Sequence, residues 1–163
     1  MKRFVAALLI LAAPAFAQAK DLTADDRLAI ITLISSHYAQ VLDAGDADAY
    51  ANLFTPDGVS EWATGSAKGR ARIKEWVSGL MKGGIGAKPA QVRHFVGVPD
   101  ITGADDKANA RTYVIIFGLS KSGSVNVPSV ASYADTLVKQ DGHWLFAKRV
   151  TNADLGVFGK RAD

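Results

Sequence analysis

The chain has 163 residues, no cysteine, and 19 basic against 16 acidic side chains. That length suits one domain, and the missing cysteine excludes disulfides, thiolate nucleophiles and cysteine-ligated metals. Three histidines are too few, and too scattered, to spell a metal-ligand spacing, so neither a metal nor a cofactor is expected.

At the amino end Lys2 and Arg3 precede an apolar run from Phe4 to Ala13, far shorter than the roughly 20 residues that span a bilayer. Ala15-Phe16-Ala17 and Ala17-Gln18-Ala19 then offer small-residue cleavage sites before Gln18 and before Lys20, the second preferred. Residues 1–19 are read as a secretory signal peptide. Residues 20–163 form the exported domain, periplasmic or secreted from a bacterium, with no membrane attachment after cleavage. Loss of Lys2 and Arg3 leaves 17 basic and 16 acidic residues. Without a long basic tract, nucleic acid is not an expected partner.

Thr23 and Asp26 make a cap signal, and Ile30, Leu33, Ile34, Tyr38 and Val41 recur at helical spacing. Gly45 stops that helix and Asp46 caps a short one running to about Phe54. Thr55-Pro56-Asp57-Gly58 has turn chemistry, and Val59 to Ala63 reads as a strand. A third helix runs from Arg70 to Lys82 and ends at Gly83-Gly84, ahead of a glycine-rich loop to Pro89. From Val92 onward β-branched and aromatic runs predict four strands, Val92–Ile101, Ala108–Ser120, Ser129–Gln140 and His143–Asn152. Helices followed by an antiparallel meander give an α+β domain whose curved sheet folds round the helices and leaves a pocket.

Asp43 lies near the carboxyl end of the first helix, where the macrodipole disfavours an anion by about 0.3–1 kcal/mol, so it calls for a compensating partner. His94 alternates onto the face of Val92 and Val96. A carboxylate on one imidazole nitrogen fixes the tautomer and makes the other nitrogen a better base. Asp43 is a candidate for that carboxylate. The residue type by itself favours a core imidazole bonded to a backbone carbonyl, and spacing does not choose between the two. His37 and His143 read as surface residues. Tyr38, Trp62, Tyr113 and Phe117 are candidates for an apolar pocket lining. Asp135 shares a strand face with Tyr133 and is a candidate for a protonated, hydrogen-bond-donating carboxyl, and Glu61 reads as an exposed strand acid.

The stretch Tyr38 to Asp46, Leu53-Phe54-Thr55-Pro56-Asp57, Gly69-Arg70 before a helix, Arg93-His94-Phe95, and Tyr133 through Trp144 to Arg149 together resemble the SnoaL-like branch of the nuclear transport factor 2-like superfamily. The resemblance implies a cone of three helices in a strongly bent, mostly antiparallel sheet, commonly paired through the sheet as a homodimer. Asp43 and His94 stand where scytalone dehydratase-like and dehydrochlorinase-like members carry a catalytic acid and histidine. Tyr38 and Asp135 resemble the oxyanion pair of ketosteroid isomerase. The third strand offers Tyr113, Phe117 and Gly118 where the dehydratases have a second histidine, which implies a different substrate. On an ideal helix Tyr38 and Asp43 point about 140° apart, so both line one pocket only if the last turn unwinds. The expected function is a cofactor-independent lyase or isomerase acting on a small apolar or cyclic compound. The alternative is a non-catalytic protein of the same fold that binds an apolar ligand or only dimerises.

Overall fold

The computed structural model describes residues 19–63, 65–82, 92–119 and 123–156. The segment read as a signal peptide, but for Ala19, and the glycine-rich loop expected to Pro89 lie outside those residues. Helix α1 (Ala24–Ile31) passes into a π-helical turn (Thr32–His37) and then into α2 (Tyr38–Ala44). After Gly45, in the left-handed conformation at φ 73°, come α3 (Ala47–Asn52), β1 (Phe54–Trp62), β2 (Gly65–Lys68) and α4 (Arg70–Lys82). Strands β3 (Val92–Val96), β4 (Asp100–Ala104), β5 (Lys107–Leu119), β6 (Val125–Gln140) and β7 (His143–Gly156) complete the described residues.

Among the described residues the strands form one seven-stranded sheet, ordered β2-β1-β7-β6-β5-β3, with β4 also on β5. Every pairing is antiparallel except β1 on β7. Register shifts in the β1–β7, β5–β6 and β6–β7 pairings mark bulges, with the extra residues on β1, β6 and β7, which bend the strands so that the unclosed sheet curves around the helices. Ile30 and Ile34 from the amino-terminal helical stretch, Ile73 and Val77 from α4, and Phe54, Leu137 and Phe146 from the sheet are buried in the shared core. The α+β cone expected from the sequence is the fold observed.

Three expectations need correction. Thr55-Pro56-Asp57-Gly58 is not a free turn: it lies within β1, where the five steps from Phe54 to Val59 match only two on β7, from Phe146 to Lys148. Its turn chemistry appears as a bulge that turns Pro56 and Asp57 to solvent, with the Thr55 hydroxyl donating to Asp57 at 3.0 Å. The single strand expected over Val92–Ile101 is two, laid end to end along β5. The break at Gly97-Val98-Pro99 follows from a proline that has no amide hydrogen for the ladder. Strand β2, paired with β1, was not expected at all.

Thr23 and Asp26 form the reciprocal cap that the sequence signalled. Asp26 does more, because its Oδ1 accepts from Lys139 Nζ at 2.8 Å and from Trp144 Nε1 at 3.0 Å, pinning α1 to the β6–β7 hairpin. Lys139, Thr23 and Trp144 together hold its carboxyl well below the ordinary aspartate value of 3.8. A depressed folded-state pKa contributes stability that is full above the unfolded value and is lost as pH falls toward the folded one. Urea midpoints are therefore expected to drop as the buffer is taken below about pH 4. The drop should be shallower in Asp26→Asn; an identical acid slope in that variant rules the pin out as its source.

Candidate active site

The concave face of the sheet and helices α2 to α4 enclose a hollow of about 770 Å³ of atom-free space, its mouth included. Leu42, Val77, Leu80, Met81, Val92 and Ile116 give it apolar walls. Trp62 and Trp76 also line it and stack face to face, with ring centroids 3.9 Å apart and planes 17° from parallel. The polar atoms come from Tyr38, Tyr50, His94, Ser129, Tyr133 and Thr151.

His94 Nδ1 lies 2.6 Å from Asp43 Oδ1, and the two side chains keep only 7% and 14% of their exposure. The same carboxylate accepts the His94 backbone N–H, with distances of 3.3 and 3.2 Å to its two oxygens. The sheet order explains this second bond. β3 is an edge strand, so one side of its backbone has no neighbouring ladder, and a buried N–H there needs another acceptor. Two donors from one residue are thus the compensation that Asp43 calls for at the end of α2.

Asp43 does not line the hollow. It holds the imidazole from behind, whereas Tyr38 and Leu42, on the other side of α2, face the cavity. The helix therefore has no need to unwind, and α2 stays regular up to Gly45. What the sequence did not reveal is the π-helical turn just before Tyr38, where the Tyr38 amide bonds to Leu33 O, five residues back. The wider turn resets the helix face from Tyr38 onward. Ser35, inside it, donates to Gly97 O at 2.7 Å and so ties the turn to the break between β3 and β4.

The structure divides the other expected pocket residues. Tyr38 and Trp62 line the hollow. Tyr113 and Phe117 do not: Thr112, Val114 and Ile116 take the inner face of β5, which leaves Tyr113 77% and Phe117 36% exposed on the outer one. Nor does Asp135, which is buried in a two-pronged pair with Arg149 at 2.7 Å to Nε and 2.7 Å to Nη2. Burial alone lowers a guanidinium's pKa, but the Asp135 charge and hydrogen bonds outweigh it and hold Arg149 above its ordinary value. Both Asp135 oxygens are taken up by Arg149, and the residue is not among those that line the hollow. Glu61 sits at the surface with Lys148 at 2.7 Å, and His37 and His143 are exposed.

Sequence reasoning missed Arg149 and Tyr133 as parts of the site. The Arg149 guanidinium carbon lies 4.0 Å from the ring centre of Tyr38, 4.2 Å from that of Tyr133 and 4.1 Å from that of Phe146. The Tyr38 and Tyr133 hydroxyls are 3.1 Å apart and hydrogen-bonded. Burial pushes the Tyr50 and Tyr133 hydroxyls well up, with Tyr38 adding to the rise and Arg149 opposing it, so both stay protonated at neutral pH.

A family model described as the SnoaL-like domain matches residues 22–150. The chain belongs to the SnoaL-like family. No curated protein matches this SnoaL-like chain. Among solved structures, an NTF2-like protein with a cystatin-like fold from Novosphingobium aromaticivorans is 28% identical, with a TM-score of 0.72, over 82% of this chain and 84% of that one. A protein from Catenulispora acidiphila in complex with S-DNPA is 26% identical, with a TM-score of 0.67, over 81% and 96%. ActVI-ORFA from Streptomyces coelicolor, 23% identical with a TM-score of 0.64 over 74% and 90%, shares the fold.

Proposed function

We propose that this SnoaL-like protein is an exported small-molecule lyase or isomerase in which His94 is the general base and Asp43 its orienting acid. The observation that carries this reading is the 2.6 Å contact between Asp43 and His94 Nδ1 beside an apolar hollow that the imidazole lines. With the carboxylate accepting from Nδ1–H, Nε2 carries the lone pair and is the nitrogen left to take a proton from a bound compound. The walls select an apolar, cyclic molecule. The two side chains supply the proton transfer themselves, with no cofactor called on. Hydroxylated and halogenated cyclic compounds screened for elimination or double-bond migration, with His94→Ala as the control, test the reading. Conversion by the wild type that the variant retains in full refutes it.

The proposal includes a homodimer formed through the outer face of the sheet. Phe95 of β3 and Tyr113 of β5 stand there 66% and 77% exposed, with Phe117 beside them, an apolar surface of the kind that marks an interface. On a sizing column the wild type is expected at twice the mass of Phe95→Asp/Tyr113→Asp. Equal elution of the two places the interface elsewhere or makes the protein a monomer.

A further inference from the structure

The hollow runs across the whole concave face of the sheet. His94 stands on β3, at one end of the strand order, and Trp62 on β1, next to the other end. Ile116 of β5, Tyr133 of β6 and Thr151 of β7 line the space between them. His94 is the register partner of Ile116, Tyr133 that of Thr151, and Thr151 that of Trp62. Four strand spacings of about 4.8 Å separate β3 from β1 along the sheet, and its curvature brings the two ends nearer across the hollow. A compound whose reacting carbon meets His94 and that extends across the sheet therefore ends at Trp62.

Trp62 does not close that end alone. Trp76 of α4 lies on it with the ring centres 3.9 Å apart, which is contact distance, so no third ring enters between them unless α4 parts from β1. Gly65, the register partner of Trp62 on β2, comes so near that a Cβ there would lie 3.3 Å from the indole. Trp76 is carried on a fixed base, because Ile73 and Val77 on the same helix are fully buried. Both tryptophans nevertheless stay only half-buried and line the hollow, which makes their rings a wall and not a filling of the core.

We infer that Trp76 is a specificity-determining residue: propped against Trp62, it ends the hollow and fixes how far a substrate can extend from His94. Resting on the reading of the hollow as the substrate site, this narrows the substrate to a compact compound with a single ring along that direction and excludes one lengthened by a second ring in line. An apolar void of about 150 Å³ left by truncating a buried side chain stays dry and takes up a benzene ring. Trp76→Ala should accordingly lengthen the hollow by one ring.

The probes are phenol and 4-phenylphenol, one ring and two in line, each titrated by NMR. The wild type is expected to bind 4-phenylphenol no more tightly than phenol. In Trp76→Ala the ratio of the two affinities should rise about thirtyfold in favour of 4-phenylphenol, the worth of burying one more ring, while phenol binds as before. Trp62→Ala, which removes the prop, should shift the ratio in the same direction. Leu42→Ala enlarges the hollow one helical turn from Tyr38 and should leave the ratio at its wild-type value. A strong preference for 4-phenylphenol already present in the wild type, an unchanged ratio in a Trp76→Ala protein that still binds phenol, or an equal rise in Leu42→Ala overturns the inference and leaves the Asp43–His94 reading in place. An unshifted ratio in Trp62→Ala overturns the part given to the prop. Should Trp76→Ala not fold, Trp76→Leu carries the same comparison with the same outcomes. Failure of the wild type to bind either probe removes the hollow as a ligand site, and this inference with it.

Discussion

Replacing His94 with alanine is expected to lower kcat for any compound the protein converts by about 10²–10⁴-fold, the usual contribution of a positioned general base. KM should move little, because the apolar walls and the Trp62–Trp76 stack, which hold the compound, are untouched. Asp43→Asn tests the orienting acid more sharply. An asparagine amide can donate to Nδ1 and so leave the ring hydrogen on Nε2, the wrong tautomer for a base facing the hollow. A comparable swap in a serine protease triad costs about 10⁴-fold. Asparagine still offers an oxygen to the His94 backbone N–H, so the fold should survive, as circular dichroism and the thermal midpoint would show. A folded Asp43→Asn protein with undiminished kcat would reduce the carboxylate to an edge-strand cap.

Much of this architecture was legible because local signals agreed with the global fold. The Thr23–Asp26 cap, the Gly45 stop and the Asp141-Gly142 turn, whose two residues take φ 49° and 80°, are where their chemistry places them. The meeting of Asp43 with His94 was one of two readings that the residues left open, an anion at a helix end and an imidazole on an apolar strand face each lacking a partner, and the family resemblance was what pointed to it. The errors arise where two arrangements share one pattern. Along β5 both faces are apolar, Thr112, Val114 and Ile116 inward and Tyr113, Ile115 and Phe117 outward, so alternation alone does not say which aromatic side chains line the hollow. Asp135 was lost to a bulge. The hairpin register from Gln140↔His143 to Leu137↔Phe146, continued unbroken, would set Asp135 opposite Lys148. The shift between Thr136 and Leu137 moves it opposite Arg149 instead, and no residue in that stretch announces the extra position.

That displaced register underlies the largest stability effect expected. Arg149→Met alone should destabilise the fold by about 3–5 kcal/mol, because it strands the Asp135 carboxylate, itself only 3% exposed, without a countercharge. Asp135→Leu alone should cost a similar amount by stranding the guanidinium. Arg149→Met/Asp135→Leu should recover most of the loss, since an apolar pair of similar volume needs no desolvation and keeps packing against the three rings. The non-additivity, read from urea unfolding of all four proteins, measures the coupling directly. A double variant no more stable than the worse single one would mean that the guanidinium's stacking on Tyr38, Tyr133 and Phe146, not its charge pairing, holds this part of the core. Full recovery has a further consequence. An ion pair that an apolar pair replaces without loss is not there for stability, and its place under two hydrogen-bonded tyrosines that line the hollow is then left to function.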